Sequence, residues 1–105
     1  MRFIETPVFT RTVAGLLDDD QYHALQLAML LRPARGAVIP GSGGLRKLRW
    51  SLPGMGKRGG VRLIYFWNEA NETFYMLFAY RKSVQEDLTA EQLKVLARLV
   101  REEFG

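Results

Sequence analysis

The sequence predicts an α+β fold, a small antiparallel β-sheet with an N-terminal helical hairpin and a C-terminal helix. Three observations carry this. Helical periodicity fills the first third of the chain and returns only after residue 88. Between these segments the period becomes that of a strand: Leu48, Trp50 and Leu52 alternate with Lys47, Arg49 and Ser51. Two apolar runs follow, 61–67 and 73–80, joined by a polar turn short enough for a hairpin. Helices and strands grouped in runs, without regular alternation, are the pattern of an α+β fold. The 105 residues are read as one domain, 1–105, with one modest core.

Each element has a local reason. Arg2 to Glu5 can form a short first strand. Thr6 and Pro7 then start a helix, with Thr6 as N-cap and Pro7 in the first turn. Phe9, Val13, Leu16 and Leu17 give it an apolar side. Asp18, Asp19 and Asp20 supply an N-cap and favourable first-turn charge for a second helix. Its apolar stripe is Tyr22, Leu25 and Met29 with Ala24, Ala28 and Leu31, and Pro33 ends it. Residues 36–44 read as a loop with a short extended piece at 37–39. The alternating strand comes next and puts Lys47 and Arg49 on one face, about 7 Å apart. A glycine-rich loop, 53–60, precedes the strands 61–67 and 73–80, whose continuous apolar character suits central strands covered on both faces. Thr89 and Gln92 fit a capping box for the last helix, with Leu93, Leu96, Ala97, Val100 and Phe104 as its buried stripe.

Charge is distributed unevenly. Residues 21–68 contain no Asp or Glu, although the chain has eleven acids. Arg32, Arg35, Arg46, Lys47, Arg49, Lys57, Arg58 and Arg62 all fall in this stretch. A block of one sign creates a one-signed field, and its natural ligand is a polyphosphate backbone. Gly41, Gly43, Gly44, Gly54, Gly56, Gly59 and Gly60 bracket the cations and let backbone approach a ligand. In an antiparallel meander three cationic groups converge on one end of the sheet: Arg46, Lys47 and Arg49; Lys57, Arg58 and Arg62; Arg81 and Lys82. Such a cluster suits RNA cleavage by the neighbouring 2′-OH, where Arg and Lys stabilise charge developing on phosphorus. A crowded Lys can also exchange the proton. Trp50, Tyr65 and Tyr80 are candidates for stacking a base.

A plainer reading stands beside this one. Phosphate affinity needs only charge, Arg62 can pair with Glu86 or Asp87, and Arg81 and Lys82 can be merely solvated. Other chemistries are set aside. With no cysteine there are no disulfides or thiolate metal sites, which suits a reducing cytoplasm. The one histidine, His23, excludes a multi-His metal site and lies on the second helix, away from the basic face. The spacing of a Walker phosphate loop is absent. The apolar runs are too short for a membrane span and the N-terminus lacks a signal-peptide core, so a soluble, cytoplasmic protein is expected.

The segments GSGGLRKLRW (41–50), GKRGGVRLIYF (56–66), FAYRK (78–82) and EDLT (86–89) together resemble the RelE/ParE toxin superfamily, in its HigB-type branch. The order of elements agrees over about residues 1 to 100. The resemblance implies a RelE-like fold and the toxin of a type II toxin–antitoxin system. It implies a ribosome-dependent mRNA endonuclease that cuts in the ribosomal A site and uses no metal or other cofactor. The implied partners are a neutralising, DNA-binding antitoxin and the ribosome with its mRNA. Operator DNA would be reached only through the antitoxin, with no membrane involved. By position Arg62 matches a phosphate and transition-state stabiliser, Lys82 the basic residue after the last strand, and Lys47 and Arg49 the paired cations of the first long strand. Arg46, Lys57, Arg58 and Arg81 would grip RNA. The chain departs from some relatives in having Leu88 where they place a Tyr, and it lacks the His that others use. This leaves the general base and acid open. Two alternatives stay open as well: a ParE-like toxin that poisons DNA gyrase, and a non-catalytic nucleic-acid-binding module.

Overall fold

The computed structural model describes residues 1–52 and 60–104. The loop cations Lys57 and Arg58 and the side chain of Phe104 lie outside the described residues. The elements run β1 (Arg2–Glu5), α1 (Pro7–Ala14), α2 (Asp19–Leu31), β2 (Ala37–Val38), β3 (Arg46–Trp50), β4 (Val61–Asn68), β5 (Thr73–Arg81) and α3 (Ala90–Phe104).

The helices begin where side chains can satisfy free backbone amides. Thr6 Oγ1 accepts from the Phe9 amide at 3.0 Å and donates to the Leu77 carbonyl at 2.9 Å, so the cap of α1 also fastens it to β5. Asp18 and Gln21 form a capping box at α2, and Thr89 and Gln92 form another at α3. Leu31, placed in the α2 stripe by sequence, is 82% exposed. At about 100° per residue it is turned roughly 120° from Leu25, off the buried side.

The five strands form one sheet in the order β1-β5-β4-β3-β2. β2 to β5 are antiparallel neighbours, as expected. β1 differs, joining β5 in parallel with Arg2 opposite Thr73. A parallel pair needs a long crossover. The whole chain from α1 to β4 supplies it, which a local reading of four residues does not reveal. The Arg2 and Thr6 amides donate to the carbonyls of Glu72 and Met76 and secure both ends of the pair.

Helices cover both faces of the sheet. Phe9, Val13 and Leu17 with Leu25 and Met29 of α2 pack on one face, over Leu48, Val61, Leu63, Tyr65, Phe74, Met76 and Ala79. On the other, Leu93, Leu96 and Val100 of α3 pack over Leu45, Ile64, Leu77 and Tyr80. A bulge between Ile64 and Tyr65 leaves Leu77 without a direct partner on β4, and Leu77 and Phe78 both join the α3 side. This double coverage explains why β4 and β5 read as continuous apolar runs.

Candidate phosphate-binding site

The site lies on the α3 face, toward the end of the sheet where β3 finishes and β4 begins. In the antiparallel register Arg49 stands opposite Arg62, and Arg62 opposite Tyr80. Directly opposed residues share a face, so these three make one row across three strands. Lys47, two residues before Arg49, lies on the same face.

Arg62 is the unusual member, a guanidinium only 7% exposed. Its Nη1 lies 3.4 Å from the Val61 carbonyl, a long bond that leaves most of its donors uncommitted to the described residues. Gly60 makes room for it, since a Cβ there would stand 3.0 Å from Arg62 Nη1 and 3.3 Å from the Trp50 carbonyl oxygen. The Gly60 carbonyl accepts from the Lys82 amide at 3.1 Å, which holds the chain after β5 against the start of β4.

Asp87 is the acid that meets this row. Its Oδ1 accepts from Lys47 Nζ at 3.2 Å, from the Leu88 amide at 2.8 Å and, at 3.4 Å, from the Tyr80 hydroxyl. The Leu88 amide, and then Lys47, hold the Asp87 carboxyl below the usual carboxylate range. Burial pushes the Tyr80 phenol up to about 12; the Asp87 charge adds to this and Arg62 opposes it. Tyr80 is therefore a hydrogen-bond donor at neutral pH. Asp87, not Glu86, is the acid in the site, and its ion-pair partner is Lys47, not Arg62.

The remaining candidates separate. Lys82 is half-buried just past β5, beside Ser83, Val84 and Glu86. Arg46 lies on the opposite face, where its guanidinium donates to the carbonyls of Gly36 at 2.7 Å and Ala34 at 3.2 Å. It secures the loop after α2. Arg81 alternates with Tyr80 along β5 and lines a cavity with Thr12, Gly15 and Leu16, again on the α1 side. Among the described residues its buried Nε has no hydrogen-bond partner. Two expected stacking aromatics are also committed elsewhere. Tyr65 is fully buried, donating to the Pro33 carbonyl at 2.8 Å and accepting from the Gly36 amide at 2.9 Å. Trp50 packs against the core beneath α1 and α2. His23 is exposed on α2.

Sequence reasoning gave Tyr80 only a stacking role and named Asp87 only as a partner for Arg62. The alternation of β5 against β4 was the signal for Tyr80. Asp87 carried no such signal, because its position depends on the turn between β5 and α3.

The arrangement can hold an anion. Arg49 and Arg62 offer forked donors to phosphate oxygens, with Lys47 beside them as a mobile ammonium. Over 92% of this chain and 93% of the other, the fold superposes on a solved structure of a double-substituted E. coli toxin RelE in the free state, with a TM-score of 0.57 and 14% identity. At that identity the likeness concerns the fold. A family model described as the RelE toxin of the RelE / RelB toxin-antitoxin system matches residues 23–104. That span takes in most of α2, every strand from β2 to β5 and α3, so the chain belongs to the RelE toxin family.

Proposed function

We propose that the protein is the toxin of a type II toxin–antitoxin pair and a ribosome-dependent mRNA endonuclease, held inactive by a cognate antitoxin. The observation that carries this reading is the row Arg49–Arg62–Tyr80 with Lys47 beside it on one face. In the proposed reaction the 2′-oxygen bonds to the adjacent phosphorus and the bond from phosphorus to the 5′-oxygen breaks. The products are a 2′,3′-cyclic phosphate and a 5′-hydroxyl. A proton leaves the 2′-OH and another reaches the departing oxygen. Arg62, already desolvated, and Arg49 stabilise the charge gathering on the phosphoryl oxygens. Lys47 shares the face of the row and is the first candidate to exchange a proton; Lys82, whose backbone amide is held to Gly60, is the second. Tyr80 holds Asp87 by a hydrogen bond. Arg46, committed to two backbone carbonyls, has no part in this step.

The test is to express the chain alone in a bacterium and map mRNA 5′ ends, with and without a start-codon mutation in the reporter. Cuts in register with codons, lost when translation is blocked, are expected. Arg62→Ala should lower cleavage at least about a hundredfold, the scale of losing one transition-state donor. Lys82→Ala should relieve growth arrest while circular dichroism stays native. Growth arrest with intact mRNA and an induced DNA-damage response would reject the nuclease and point to gyrase.

A further inference from the structure

We infer that the protein carries a nucleobase pocket next to its phosphate site, formed where β2 approaches the start of α3. The inference rests on the nuclease reading, because the phosphate site fixes where the RNA chain lies. A cavity of about 340 Å³ opens there. Ala37, Val38, Ile39 and Pro40 line it from the β2 side, and Leu88 and Leu93 from the α3 side. Its polar boundary is the Lys47–Asp87 pair. Apolar walls with a few placed polar groups are the usual make-up of a site for a flat organic ring, and the volume lies within the usual range for such sites.

Position and chemistry both favour a base. Lys47 belongs to the cavity and also stands next to Arg49 on the cationic face, so a phosphate held by Arg49 and Arg62 brings the attached nucleoside toward the cavity mouth. The edge of every base offers N–H donors and acceptors. Here an ammonium donates and a carboxylate accepts. Among the described residues the three hydrogen bonds to the Asp87 carboxylate fall on Oδ1, and the side chain is 64% exposed, so Oδ2 remains accessible to a base N–H. Trp50 and Tyr65, two of the aromatics first considered for stacking, lie elsewhere, and these aliphatic walls replace them. The pocket gives the protein a means of favouring one nucleotide beside the cut.

The test measures binding by fluorescence anisotropy. The probe is a short labelled RNA with a 2′-deoxy sugar at the cut, intact or with an abasic site walked along it. The wild type should bind about tenfold more weakly when one particular position is abasic, the scale of losing one base contact. Ala37 stands opposite Lys47 on an exposed two-residue edge strand, so Ala37→Trp fills the cavity without touching the core. That variant should bind intact RNA as weakly as the wild type binds the critical abasic RNA, and should show no further loss with the abasic RNA. Arg62→Ala should weaken both RNAs alike. Equal wild-type affinity for intact and every abasic RNA, with Arg62→Ala still weakening both, would overturn the pocket and leave the phosphate site standing. No effect of Arg62→Ala would overturn the phosphate site on which the pocket rests.

Discussion

Tyr65 shows how a side chain that reads as a ligand contact can serve the fold. Its hydroxyl joins the Pro33 carbonyl and the Gly36 amide, the two backbone groups that turn the chain from α2 toward β2. Gly36 is required for this: a Cβ there would stand 2.8 Å from Tyr65 Cε1. Tyr65→Phe strands both partners in a buried place and should destabilise the protein by about 1–3 kcal/mol. Urea unfolding will measure this, and growth arrest should survive, because the hydroxyl lies on the face opposite Arg62. Arg46 makes the same point about charge. One residue before Lys47, it points to the other face and grips the same loop, so a cation in a basic run is not automatically available to RNA. The acid-free stretch thus divides in two, with Lys47, Arg49 and Arg62 on the face of the proposed anion site and Arg46 clamping a loop on the other.

At the scale of elements, helix starts were legible because capping chemistry is local. Thr6 with Pro7, Asp18, and Thr89 with Gln92 stand where the sequence put them. The antiparallel order of β3, β4 and β5 was legible too, since the β4–β5 turn is short; the register was not, because the bulge between Ile64 and Tyr65 carries no local signal. The partner and direction of β1 were not, because four residues carry no information about a strand seventy positions away. Asp87 was hidden for a related reason, as the turn preceding α3 decides which cation it meets. That turn sets Asp87 against Lys47 just before α3 begins. Thr89→Ala should cost about 1 kcal/mol of stability through loss of the cap. It should also speed amide hydrogen exchange in the first turn of α3 more than in its last. Uniform protection across the helix would show that the cap does not control this end.

For the molecule as a whole, three tyrosines link its parts and share one electrostatic signature. Tyr22 donates to Glu5 and ties α2 to β1, and burial, with Glu5 adding to it, raises its pKa. Burial likewise raises Tyr65 and Tyr80, the latter to about 12. In the unfolded chain a tyrosine ionises near 10. Because the folded values are higher, the folded state keeps protons that the unfolded state releases. The stability from these groups is therefore complete below about pH 10 and is lost as pH rises toward about 12 and beyond. Urea midpoints should hold steady up to that range and then fall, with phenolate absorbance appearing together with unfolding. Tyr22→Phe should flatten part of the alkaline loss. A midpoint that falls in parallel for wild type and variant would assign the loss to other groups.

The pairing of the first strand with the last has a consequence for how the protein is born. Thr6 and Leu77, joined by a hydrogen bond, are 71 residues apart in the chain. A nascent chain has no partner for β1 until β5 has emerged, and contacts of such long sequence separation form slowly. The row Arg49–Arg62–Tyr80 also awaits β5. Until β5 has formed, the polypeptide is therefore an unfinished segment that lacks this row.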